Sequence, residues 1–111
     1  MRILLDECLP RDLGKEISGH STQTVPLAGW ASVSNGDLLK LIAASGQYDV
    51  FLTVDKNLPL QQNIANLPFA VVILRARSNR LPDLRIFLPE LLQRLESFQP
   101  GHAYTLTPLR S

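Results

Sequence analysis

Two short apolar runs in this chain, Ile3-Leu4-Leu5 and Val50-Phe51-Leu52-Thr53-Val54, each end in an aspartate that opens the same pattern, Asp-x-x-Leu-Pro. The copies are Asp6-Glu7-Cys8-Leu9-Pro10 and Asp55-Lys56-Asn57-Leu58-Pro59. Continuous apolar runs of this length suit strands buried on both faces, as in a parallel sheet. Leu-Pro begins a helical segment, because proline tolerates a first helical position and little else in a helix. The unit therefore reads as strand, acidic turn, helix, used twice.

The rest of the chain keeps that alternation. Leu9, Leu13 and Ile17 recur at helical spacing until Gly19; Thr22 to Val25 forms a weak strand closed by Pro26; and Leu27 to Ser34 is a loop. Ser34-Asn35-Gly36-Asp37 starts a helix whose face is Leu38, Leu39, Leu41 and Ile42, ending near Gly46. A short helix from Leu58 to about Ala65 precedes a fourth strand, Phe69 to Leu74. Pro82 to Phe98 carries Leu84, Leu88, Leu91, Leu92 and Leu95 at helical spacing, with a bend or fresh start at Pro89. Tyr104-Thr105-Leu106 adds a last edge strand. Strands alternating with helices predict an α/β fold: one Rossmann-like domain over residues 1–111, its mostly parallel sheet of four or five strands covered by helices on both faces.

Composition narrows function. At 45% hydrophobic and 19% charged the chain has the material for a core and is not a disordered segment. A formal charge of +1 excludes a polybasic protein that binds phosphate without regard to sequence, so any nucleic-acid contact is a local patch. The single Cys8 excludes an internal disulfide and every zinc pattern built on cysteine pairs, and favours a reducing, cytoplasmic setting. The apolar start stops at Asp6, far short of a signal peptide, and the longest apolar run is too short to span a bilayer. No Walker loop or Gly-x-Gly-x-x-Gly is present, and the dispersed His20, His102 and Cys8 make no nucleophile–base arrangement.

Chemistry then falls to the acids. Ligands of open parallel sheets sit beyond the carboxyl ends of the strands, where Asp6 and Asp55 belong. If their strands are neighbours, about 4.8 Å apart, the carboxylates repel unless a cation lies between them. Mg²⁺ or Mn²⁺ suits such hard oxygen ligands and needs few of them. Helix capping is the competing role, but proline in the first turn would make Leu9 and Leu58 the caps, not the aspartates. Asp37 is the candidate third acid, although the dipole of its own helix also accounts for it. Asn57 and Asn35 are candidate neutral ligands or donors, and also ordinary turn residues. Gln62, in the polar run Gln61-Gln62-Asn63, and Arg75, Arg77 and Arg80 are candidates to hold substrate and its phosphates; solvated surface explains them equally well. Glu7 is secondary, and Trp30 reads as packing.

Arg2 to Pro10, Asn35-Gly36-Asp37-Leu38-Leu39 and Leu52 to Leu58 together resemble the small PIN-like proteins, short relatives of the PIN nucleases, many of them predicted toxins of bacterial toxin–antitoxin pairs. The likeness runs over nearly the whole chain and includes Arg75 to Leu81. It implies a metal-dependent endoribonuclease with Asp6, Asp37 and Asp55 as catalytic, metal-holding acids, Mg²⁺ or Mn²⁺ as cofactor, and RNA and an antitoxin as partners; a homodimer stays open. The chain departs from the family in having Asn57 and Asn35 where many relatives carry acids. Two other readings compete: a binding module acting through a partner, and a phosphoacceptor receiver. The receiver wants a lysine after its last strand, and Tyr104 to Ser111 holds none.

Overall fold

The apolar runs Ile3 to Leu5, Val50 to Val54 and Phe69 to Leu74 each form a strand. The computed structural model describes residues 1–108 and contains β1 (Arg2–Leu5), β2 (Ser21–Thr24), β3 (Val50–Thr53), β4 (Ala70–Leu74) and β5 (Ala103–Leu106). All five run parallel in one sheet of order β2-β1-β3-β4-β5. The helices are α1 (Asp12–Lys15), α2 (Asn35–Ser45), α3 (Leu58–Gln61), α4 (Leu81–Arg85) and α5 (Leu88–Arg94), the last running into a 3₁₀ turn at Leu95–Ser97. Among the described residues no helix is long and apolar enough to cross a membrane. The expected α/β sandwich is present, and its sheet is wholly parallel.

Alternation along the strands divides the core into two layers. Ile3, Leu5, Val50, Leu52, Ala70, Val72 and Leu74 meet Leu13 of α1, Leu84 of α4 and Leu91 of α5 on one face. Leu4, Phe51, Val71 and Ile73 meet Leu38, Leu39 and Ile42 of α2 and Leu58 of α3 on the other. Trp30 packs into the second layer, edge-on to Tyr48, as the packing role requires.

The connections are not all of one hand. From β1 the chain crosses the α1 face to β2; it then returns in the opposite direction over the α2 face to β3 and on to β4. Reversing both direction and face preserves the hand. The step from β4 to β5 continues in the same direction but over the α1 face, so its hand is opposite. Parallel crossovers are almost always right-handed, which makes this connection a departure from the expected rule. The cause is cover: α1 is a single turn, and without α4 and α5 the apolar side chains of β3 and β4 on that face would meet water. Arg85 of α4 donates to Glu16 at 2.9 Å, fastening the late helices to the early one.

Helix extents differ from the periodicity. Leu9, Leu13 and Ile17 are all buried, but only Asp12–Lys15 is α-helical, and Pro10 lies before the helix with Arg11 as cap. The flanks are closed by tighter bonds, from Leu9 N–H to Asp6 C=O (3.0 Å) and from Ile17 N–H to Gly14 C=O (3.2 Å). α3 stops at Gln61 because Gln62 turns extended, and its cap is Asn57, not Leu58. Pro89 marks a fresh start, separating α5 from α4. Gly101, at φ 79°, brings the chain into β5 so close to Ala65 that a Cβ would lie 2.6 Å from its carbonyl oxygen.

Candidate active site

The sheet has its topological switch point between β1 and β3: the chain leaves β1 over one face and β3 over the other. Crevices of open α/β sheets form there. Asp6 and Asp55 both follow these two strands. In register, Leu5 sits beside Leu52, and the Asp6 N–H donates to the Leu52 carbonyl at 2.9 Å, so Asp6 lies next to Thr53. Alternation puts Asp6, Thr53 and Asp55 on the α2 face.

Thr53 joins the two acids. Its hydroxyl, fully buried, donates to Asp6 Oδ2 at 2.7 Å and accepts from the Asp55 N–H at 3.1 Å. A hydroxyl has one proton, so these partners fix its orientation. Asp6, only 9% exposed, has its other oxygen, Oδ1, held by the Glu7 N–H at 2.8 Å. Asp55 is half-buried: Oδ2 accepts from Asn35 Nδ2 at 3.2 Å and Oδ1 from the Asn57 N–H at 3.0 Å. Every carboxylate oxygen therefore has a protein donor, and each acid keeps acceptor capacity that these donors do not use. Reasoning from the sequence gave Thr53 no role; its signal was a hydroxyl in an otherwise apolar strand, two residues before Asp55.

The N-terminal turn of α2 hangs over this pair. Ser34 is the extended cap, and the following Asn35 reaches Asp55. Gln62 packs on the same turn, its Oε1 3.2 Å from where a Gly36 side chain would begin. Asp37 is exposed and accepts from Ser34 Oγ at 3.3 Å, so its carboxylate is occupied with its own helix start. Among the described residues no three His, Cys, Asp or Glu side chains form a group able to hold a metal ion. The donors that do converge, Asp6 and Asp55 with the amide of Asn35, are hard oxygen and neutral amide groups with spare lone pairs. That set fits Mg²⁺ or Mn²⁺, which keep several waters, better than a soft-metal site.

Glu7 and Cys8 behave differently from Asp6. The Glu7 carboxylate accepts from the Ser32 N–H at 3.2 Å, and Ser32 has the left-handed φ of 64°. Glu7 thus ties the loop before α2 to the turn after β1. Cys8 is half-buried; burial, then the negative charge of Asp6, pushes its thiol above the ordinary range, which disfavours the thiolate at neutral pH.

The arginines lie on the loop after β4. That strand ends in a tight turn, with the Ala76 N–H donating to the Leu74 carbonyl at 2.9 Å. Arg75, Arg77 and Arg80 are exposed and take part in no ion pair among the described residues. Asn79 Nδ2 donates to the Cys8 carbonyl at 2.9 Å, which fastens this cationic loop to the turn that carries Asp6. His20 lies against the N-terminal amine instead, consistent with its exclusion from the site.

No family model matches the chain, and neither a curated protein nor a solved structure shows significant similarity to it.

Proposed function

We propose that this chain is a Mg²⁺- or Mn²⁺-dependent endoribonuclease of the PIN-like type, acting in the cytoplasm as the toxin of a toxin–antitoxin pair. The observation that carries the reading is the Asp6–Thr53–Asp55 array: two acids side by side at the switch point, held by a shared hydroxyl, with free lone pairs on each carboxylate. Asp6 and Asp55 would hold the cation, with Asn57 and Asn35 as neutral neighbours; Asp37 would join them only by turning away from Ser34 at the start of α2. When bound, the cation supplies a hydroxide at neutral pH and polarises the phosphodiester. Thr53 ties the Asp6 carboxylate to the backbone of Asp55, which keeps the two turns in register. Arg75, Arg77 and Arg80, which make no ion pair among the described residues, carry the compensating charge for an RNA backbone, and Gln62 and Asn35 offer amides to it. An antitoxin would act by covering this acidic edge.

The Asn35 amide on Asp55 supports a second reading, a binding module acting through a partner, because it satisfies that carboxylate with a neutral donor. One experiment separates the two. Labelled RNA is incubated with the folded wild type and with Asp55→Asn, in Mn²⁺, in Mg²⁺ and in chelator. Cleavage that needs metal and falls about 100-fold in the variant supports the nuclease. RNA or protein binding with no cleavage under any condition overturns it in favour of the module.

A further inference from the structure

The two edges of the sheet are built differently. In β2 the N–H groups of Ser21 and Val25 bond inward to Met1 and Leu5 carbonyls, so Thr22 and Thr24 face outward. Thr24 is closed off: its N–H donates to Gln23 Oε1, its carbonyl accepts from the Ala28 N–H, and its hydroxyl accepts from the Leu27 N–H. The following turn thus plugs the Thr24 end of that edge.

Among the described residues β5 has no such plug. The carbonyls of His102 and Leu106 accept from Val71 and Arg75 N–H groups, which fixes the inward residues as His102, Tyr104 and Leu106. The backbone groups of Ala103 and Thr105 point away from the sheet, and both residues are exposed. Residues 102–108 contain no Lys, Arg, Asp or Glu, the residues that ordinarily guard an open edge. The outward N–H and C=O groups of a strand are matched only by another extended strand.

We infer that β5 pairs antiparallel with β5 of a second copy, joining two sheets into one continuous ten-stranded sheet. The second copy is favoured by self-complementarity. Centred on Tyr104, the pairing sets Ala103 opposite the copy's Thr105 and the reverse, so each outward N–H and C=O finds its partner. It opposes no charges. Tyr104 meets its own counterpart on the α1 face, where it is half-buried and held by Phe98, at a ring separation of 4.7 Å, and by the Gln99 N–H on its hydroxyl. The two-fold axis lies perpendicular to the sheet and leaves the switch point between β1 and β3 uncovered in both copies. This inference is independent of the ribonuclease reading.

The test is sedimentation velocity on the full chain from about 5 µM to about 500 µM, since an interface based on one short strand is weaker than an obligate one. The wild type is expected to move from monomer toward twice the monomer mass across that range. Thr105→Lys puts a charge on the exposed edge, and Thr105→Pro removes an outward N–H without touching the bonds to β4; both are expected to stay monomeric with an unchanged circular dichroism spectrum. Ser21→Lys, on the opposite edge, is expected to associate like the wild type. A wild type that is monomeric throughout, a Thr105→Lys variant that associates as well as the wild type, or association that Ser21→Lys abolishes would each overturn the pairing.

Discussion

The turns after β1 and β3 share one pattern and close alike. The Leu9 N–H returns to the Asp6 carbonyl at 3.0 Å, and the Leu58 N–H to the Asp55 carbonyl at 3.2 Å. Each leucine is then driven into the core, yet into opposite layers: Leu9 on the α1 face and Leu58 on the α2 face. The aspartates diverge as well. Asp6 is buried with a hydroxyl and its neighbouring N–H, whereas Asp55 is more open and held by the Asn35 amide and the Asn57 N–H. One local pattern therefore makes an interior anchor at β1 and an accessible acid at β3. The difference comes from position, not from the five residues: β1 is followed by a crossover to the sheet edge, and β3 by one that continues under the overhang of α2.

The largest test of that comparison is in the leucines. Leu9→Ala and Leu58→Ala are each expected to cost about 2–5 kcal/mol, because both remove buried volume that neighbours cannot refill. Urea unfolding measures both, and a near-neutral result at either would show that its turn does not anchor the fold. Thr53→Val is next, at about 1–3 kcal/mol, since Asp6 loses a donor and the Asp55 N–H loses its acceptor inside the protein. Asn35→Ala, the matching deletion at the open acid, is expected to cost less than half as much. Equal urea midpoints for the two variants would erase the distinction between anchor and accessible acid.

Thiol chemistry sharpens the same contrast. Cys8 and Asn57 occupy equivalent places in the two turns, the first half-buried beside Asp6 and the second exposed. A maleimide at pH 7 should label Asn57→Cys, in a Cys8→Ser background, about tenfold or more faster than it labels Cys8. Asp6→Asn should speed Cys8 labelling by removing a charge that opposes the thiolate. The smallest effect lies at the opposite end of the sheet. Burial there works against ionisation of Asp49, but hydrogen bonds from the Arg2 N–H and guanidinium outweigh it and hold the carboxyl below its usual value. A depressed folded value means stabilisation that is present at neutral pH and fades as pH falls through the acid range. Asp49→Asn should cost less than about 1 kcal/mol at pH 7 and flatten that acid slope, read from melting temperatures between pH 3 and pH 7.

Much of this architecture was legible in the residues. Strands buried on both faces leave continuous apolar runs, so β1, β3 and β4 could be read directly, and the carboxyl ends of β1 and β3 fixed Asp6 and Asp55 at one edge. The bond from Asn35 to Asp55 was not legible, because it joins residues far apart in the chain through the approach of α2 to β3. Nor was the role of Thr53, whose partner Asp6 belongs to another strand. Periodicity found Leu9, Leu13 and Ile17 as core, yet could not say that only one turn around them is α-helical, since short helices take their extent from packing and not from propensity.

By itself, then, the sequence determined the alternation of strand and helix, the two acidic turns and most of the core, all of which depend on local propensity and burial; Leu41, read as part of the apolar face of α2, is exposed. The tertiary structure alone decided which layer each leucine enters, the opposite hand of the last crossover and which edge stays open. These depend on which apolar surface is still uncovered when each segment packs, and a stretch of sequence holds no record of what its distant neighbours leave exposed.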